Sequence, residues 1–275
     1  MRIYLPEGGL GDAAAVTAAV REFHREHPEE PVHVNTMHRY DDLYRWNPHL
    51  RERPEGGRAV VLELERDGAS GNIPMSFCRQ LGVRCLNSTP EVYLLPSEEA
   101  GGSARLGSPV DRRRLVAVDV WARAESRTWR LERWEELVSR LAREGYIVVE
   151  LGRRVATYTH RREKRATSAP LNLVGQLSIR ETLAVLKVCA LFIGTDSGSS
   201  HLAAAVGTPQ VVLYSRSPWY SRAYWNTTPV LGSRHPCPRL CDRECSESFF
   251  CLDEITPNHV HAAAQLALSR FPKEP

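Results

Sequence analysis

Short apolar runs alternate with helical segments twice along this chain, and that alternation limits its possible folds more than any other feature. Arg2 to Leu5 reads as a strand, Gly8-Gly9-Leu10-Gly11-Asp12 as a turn, and Ala13 to Glu26 as a helix with Val16, Val20 and Phe23 on one face. Strands follow at Pro31 to Asn35 and Arg58 to Leu64, then a helix near Met75 to Leu81 and a strand near Val92 to Leu94. A second series opens with a strand at Leu115 to Val120. Its first helix, Leu131 to Arg143, turns Leu131, Trp134, Leu137, Val138 and Leu141 inward and is capped by Gly145. Tyr146 to Leu151 is a strand, and Ser178 to Cys189 is a helix with Ser178 and Glu181 in capping-box spacing. Strands at Leu191 to Ile193 and Gln210 to Tyr214 flank a helix at Ser199 to Val206. Pro257 to Ser269 is a closing helix with proline in its first turn. Between the two series, residues 96–114, PSEEAGGSARLGSPVDRRR, hold glycine, serine, proline and charge, and read as a linker or boundary. The pattern predicts an α/β protein of two Rossmann-like domains, residues 1–110 and 111–275, facing each other across a cleft.

Composition removes several function classes. With 42 % apolar and 25 % charged residues the chain is that of a globular protein, not of a disordered tail. No apolar run approaches the ~18–20 residues that span a bilayer. The start, MRIYLPEGGLGD, lacks the apolar core of a signal peptide, which makes the cytoplasm the default compartment and leaves peripheral membrane contact open. A net charge of +3 does not imply nucleic acid. The basic residues do cluster, at Arg112 to Arg114, Arg153-Arg154 and Arg161-Arg162-Glu163-Lys164-Arg165; these are either solvated loops or faces toward an anion.

Seven cysteines are unevenly spread. Cys78, Cys85 and Cys189 sit among apolar residues and read as buried thiols. Cys237, Cys241, Cys245 and Cys251 form a C-x3-C-x3-C-x5-C group, which in a cytosolic chain points to metal more than to disulfides. Four thiolates this close can complete a tetrahedral site, zinc ahead of iron, whose role would be to pin a loop. The other reading is free or partly paired thiols.

Two turns carry chemistry. In LFIGTDSGSSHLAAAVGTPQVVLY, residues 191–214, a buried strand ends on Gly194-Thr195-Asp196 and hands over to Ser197-Gly198-Ser199-Ser200 and a helix. That is the carboxyl edge of a parallel sheet, where doubly wound folds bind ligands, and the helix N-terminus favours an anion. Asp196 either orients such groups or hydrogen-bonds a ribose, or it only caps the helix; His201 reads as a packed, hydrogen-bonded histidine more than as a catalytic one. The N-terminal turn, Gly9-Leu10-Gly11-Asp12-Ala13-Ala14, satisfies the dinucleotide pattern G-x-G-x-x-A. The acidic residue that should close the second strand is missing, however: Val32-His33-Val34 runs into Asn35-Thr36. A carboxylate inside the loop would repel a pyrophosphate, so Asp12 suits a loop facing a group that must lose a proton.

The segments GGLGDAAAVTAAVREFHREHP, SRTWRLERWEELVSRLAREGYIVVELG and LSIRETLAVLKVCALFIGTDSGSSHLAAAVGTPQVVLY, in this order, resemble the family 9 glycosyltransferases, the ADP-heptose:lipopolysaccharide heptosyltransferases and their relatives. The resemblance covers the first 35 residues and most of 115–270, and extends to the cysteine-rich tail; residues 36–110 match nothing in it. It implies a GT-B fold with an N-terminal acceptor domain, a C-terminal nucleotide-sugar domain and inverting transfer without a catalytic metal. It also implies Asp12 as the base and Arg127, at a position usually held by lysine, beside the donor's diphosphate. Gly11, Thr195, Asp196, Ser197, Gly198 and His201 would complete the nucleotide-sugar site. The acceptor would be a carbohydrate, a protein or a small molecule. Readings from other classes are an NAD-dependent oxidoreductase and a non-catalytic nucleotide-sugar binding subunit.

Overall fold

Every paired strand runs parallel to its neighbour, as strands joined by helices must. The computed structural model describes residues 1–37, 39–51, 57–64, 71–107, 111–122, 124–153, 166–215, 219–232 and 251–272. The first series gives β1 (Arg2–Tyr4), α1 (Leu10–Glu26), β2 (His33–Asn35), β3 (Ala59–Val61), α2 (Ile73–Leu81) and α3 (Pro96–Arg105). The second gives β4 (Leu115–Asp119), α4 (Leu131–Arg143), β5 (Ile147–Glu150), β6 (Leu171–Asn172), α5 (Ile179–Val188) and β7 (Leu191–Thr195). It ends with α6 (Gly198–Ala205), β8 (Gln210–Tyr214), β9 (Thr227–Leu231) and α7 (Pro257–Arg270). The strands form two sheets, ordered β2-β1-β3 and β6-β5-β4-β7-β8-β9.

The large sheet explains where a ligand can sit. Strands β4, β7 and β8 are buried at every residue, which is why each reads as a continuous apolar run. Strand order reverses between β4 and β7, so the connections diverge there and leave a crevice beyond the carboxyl ends. Alternate residues of β4 enter different cores. Leu115 and Ala117 join a cluster with Ile3, Val16, Phe77 and Phe192, which draws on both series. Val116 and Val118 join Trp129, Trp134, Leu137 and Val260 on the opposite face.

Helix α4 buries the five residues that its periodicity selects. Helix α1 departs from its one-faced pattern: Ala13 to Val20 are all buried, because the alanines let α6 and α2 pack closely on it. The larger difference is α3. Residues 96–105 read as linker, yet they form a helix with Pro96 at its first position and a Glu98 side chain accepting the Leu95 N–H. Gly102 lies where α3 crosses α5, and a Cβ there would be 2.6 Å from the Ala184 carbonyl carbon. The glycine that suggests flexibility is a packing contact. The stretch 92–94 is not a strand; Val92 instead donates to the Ala205 carbonyl at 3.2 Å. Strand β9 escapes the sequence reading because Pro229 interrupts it, which an edge strand tolerates.

Cys78 and Cys189 are buried, Cys85 only partly. Of the cysteine group, Cys237, Cys241 and Cys245 lie outside the described residues, as do Arg154 and Arg161 to Arg165. Cys251 opens a short 3-10 turn, Cys251–Glu254, against which Gly232 packs. Among the described residues no three His, Cys, Asp or Glu side chains are grouped to hold a metal, and no helix is long and apolar enough to cross a membrane.

Candidate active site

Strand β7 ends at Thr195, and Ser197 opens α6 in extended geometry without its hydroxyl capping the helix. Asp196 is therefore not the helix cap. Its Oδ2 lies 3.5 Å from Arg127 Nη1 and 3.5 Å from Arg222 Nε, and Arg127 also donates to the Asp196 carbonyl at 3.0 Å. Burial alone would raise the Asp196 pKa; Arg222 and Arg127 outweigh it and hold the carboxyl below its usual range. Asp196 Oδ1, Ser197 Oγ and Thr195 Oγ1 are all buried, and none has a hydrogen-bond partner among the described residues. Unsatisfied polar atoms are costly in a protein interior, which makes these three, beside one helix N-terminus, candidates for contacts to a polar ligand.

His201 is 3 % exposed, and its Nδ1 shares a hydrogen bond of 2.6 Å with Tyr224 Oη. Its ring lies against Gly11, where a Cβ would be 2.4 Å from His201 Cδ2. Burial lowers the His201 pKa despite the nearby Asp196 carboxylate. The residue is packed and hydrogen-bonded and also lines the cleft.

Asp12 faces the same cleft from the N-terminal side. It is the third residue of α1, and its Oδ2 accepts the Gly9 N–H at 2.7 Å. Gly8 precedes it at φ +117°, a conformation that favours glycine. Arg39 and Tyr40, on the loop after β2, add to this wall; Arg39 donates to the Pro6 carbonyl at 2.9 Å.

The third wall comes from β4 and β5. Asp119 closes β4 as Asp196 follows β7; its Oδ1 accepts the Trp121 N–H at 2.8 Å and its Oδ2 the Ser199 hydroxyl. The Trp121 indole N–H reaches Glu150 Oε1 at 3.2 Å, and Glu150 Oε2 accepts the Thr167 N–H and hydroxyl, each at 2.6 Å. Gly152, at φ +104°, leaves room for this network, since a Cβ there would be 2.4 Å from Asp119 Oδ1.

The walls enclose a cleft of about 1180 Å³. It gathers Gly11, Asp12, Arg127, Asp196, Ser197, Gly198 and His201; Thr195 lies buried just behind it. Among the described residues of the basic clusters, Arg153 lines it. Arg113 instead pairs with Asp111 at the surface. Asp119 and Arg222 are the functional candidates that the sequence reading misses. A carboxylate ending a buried apolar run was an available signal for Asp119. Arg222 has none, because its place depends on which strand neighbours β7.

Residues 88–249, more than half of the chain, match the family model described as glycosyltransferase family 9 (heptosyltransferase). Lipopolysaccharide heptosyltransferase 1 of Pseudomonas aeruginosa is 25 % identical over 218 residues, 69 % of this chain; the chain spans 58 % of that relative's length. A glycosyl transferase family 9 structure from Veillonella parvula superposes with a TM-score of 0.78 at 15 % identity, covering 98 % of this chain and 97 % of that one. TibC, an iron-containing dodecameric glycosyltransferase from enterotoxigenic Escherichia coli, superposes with a TM-score of 0.76 at 19 % identity, covering 98 % and 76 %. TibC has also been solved in complex with ADP-D-beta-D-heptose. At such identities the structural matches speak for the fold: a GT-B-like α/β glycosyltransferase fold with parallel sheets.

Proposed function

The chain belongs to glycosyltransferase family 9, and on that premise we propose that it transfers a sugar from a nucleoside-diphosphate donor to an acceptor hydroxyl, with inversion. ADP-heptose is the leading donor. The observation that carries this reading is the setting of Asp196, a carboxylate held between guanidinium groups at a helix N-terminus, across a cleft from Asp12. In the reaction the bond from the anomeric carbon to the diphosphate oxygen breaks, and its electron pair leaves with the diphosphate. Arg127 and the first N–H groups of α6 receive that charge. The acceptor oxygen bonds to the anomeric carbon and gives its proton to Asp12. The Gly9 N–H, donated to Asp12 Oδ2, orients the carboxylate for that proton. Arg127 in place of lysine keeps the charge and presents a planar fork to the phosphates.

Under this reading residues 1–110 hold the acceptor and residues 111–275 the donor. Gly11, Ser197, Gly198 and His201 then line the nucleotide sugar's phosphate and ribose, with Thr195 behind them. The oxidoreductase reading loses ground on two points. The Gly9 N–H that a pyrophosphate would need is occupied by Asp12, and Asn35, at the end of β2, turns its Oδ1 to the Met37 N–H at 2.8 Å. The cysteine group stays part of the proposal as a structural zinc or iron site, supported by its spacing and by the iron of TibC.

An activity screen tests the reading. ADP-heptose with lipopolysaccharide-core, protein and small-glycoside acceptors should give acceptor-dependent release of ADP and a product of inverted anomeric configuration. Absence of both nucleoside-diphosphate release and nucleoside-diphosphate binding would overturn it.

A further inference from the structure

The sheet order places a second cation where the proposed reaction needs one. Strand β7 lies between β4 and β8. Arg127 sits in the turn that follows β4, and Arg222 just after the 3-10 turn Trp219–Ser221 that follows β8. The two guanidiniums therefore approach the end of β7 from opposite sides and meet at one atom, Asp196 Oδ2, at 3.5 Å each. Arg222 is held there. Its backbone N–H donates to the Trp219 carbonyl at 3.0 Å, and the hydroxyl of Tyr214, itself on β8, donates to the Arg222 carbonyl at 3.3 Å. Its side chain is 23 % exposed and lines the cleft beside Ser197 and Gly198.

A carboxylate pointing at a diphosphate would repel it. Among the described residues Asp196 lies between two guanidiniums that offset its charge, and the helix N-terminus adds to their sign. The Asp196 oxygen shared by both arginines brings them to one point beside the helix N-terminus, which suits a ligand carrying two linked phosphates. We propose that Arg222 is a second cationic contact of the donor's diphosphate, with Asp196 acting as the counter-ion that positions Arg222 and Arg127 together. As the glycosidic bond breaks, the electron pair moves onto the diphosphate oxygens, and Arg222 shares with Arg127 the charge that develops there. This inference rests on the glycosyltransferase reading above.

Calorimetric titration of the full chain with ADP, UDP and GDP, and with the nucleoside of whichever binds best, separates the two claims. Wild type should bind a nucleoside diphosphate. Arg222→Gln should weaken that binding about 10–100-fold and change nucleoside binding by no more than about twofold. Turnover of the matching nucleotide sugar should fall with it, and Arg222→Lys should recover part of both. No binding of any nucleoside diphosphate to wild type overturns the glycosyltransferase reading, and this inference with it. Wild-type binding with an unchanged Arg222→Gln variant overturns the inference alone. An equal loss of nucleoside and nucleoside diphosphate does so too, because it makes Arg222 a structural support. If Arg222→Gln does not fold, Arg222→Met, which keeps the stem and removes the charge, carries the same comparison: a loss confined to the diphosphate supports the contact, and equal losses or none overturn it.

Discussion

One oxygen of Asp12 holds the Gly9 N–H, so its structural and chemical roles can be separated by a single substitution. Asp12→Asn keeps an oxygen for that bond but cannot take a proton. Melting temperature and nucleotide affinity should stay near wild type while turnover falls about 10²–10⁴-fold. Turnover within a few-fold of wild type would reduce Asp12 to a helix cap. At this scale the readable residues share one property: they stand where a buried strand gives way to small residues and a helix. Thr195 to His201 and Gly11-Asp12 carry that signal in their immediate neighbours. Arg222 meets Asp196 only because β8 is hydrogen-bonded beside β7, a relation between segments that no local pattern records.

Elements that cross without side chains between them are the ones the sequence conceals. Glycine and alanine at the crossing of α3 and α5 look like linker composition, whereas the close approach of two helices requires them. Gly102→Leu should destabilise the fold by about 1–3 kcal/mol, read by thermal or urea unfolding, because the added atoms meet backbone. A neutral effect would mean that α3 is loosely seated. The strongly patterned elements were legible, α4 most of all, because an amphipathic stripe is set by its own residues. Helix α5 offers a test by pH. Glu181 accepts the Ser178 N–H at 2.9 Å and is paired with Arg105 of α3, and these contacts hold its carboxyl down to about 2 from an ordinary 4.5. Its folded pKa is below its unfolded one, so its stabilisation is complete above about 4.5 and is lost as pH falls toward 2. Glu181→Gln should therefore melt below wild type at pH 7, and the gap should close over that window. A gap that persists at pH 2 would assign the effect to packing.

For the molecule as a whole, the two sheets matter because the cleft takes a wall from each, Asp12 on one side and Asp196 with its arginines on the other. The cysteine group makes a separate claim on the whole chain. If Cys237, Cys241, Cys245 and Cys251 share a metal, elemental analysis should find about one zinc or iron per chain, and Cys245→Ser should lose metal and thermal stability together. A metal-free protein of equal stability would contradict that. The central claim is that a nucleoside diphosphate binds at the end of β7. Its most direct test is calorimetric titration of wild type, Arg127→Ala and Asp196→Ala with ADP and with NADH. Wild type should bind ADP and not NADH, and each variant should bind ADP weaker by about 1.5–3 kcal/mol, roughly 10–150-fold. Binding of NADH in place of ADP, or ADP affinity unchanged in both variants, would contradict it.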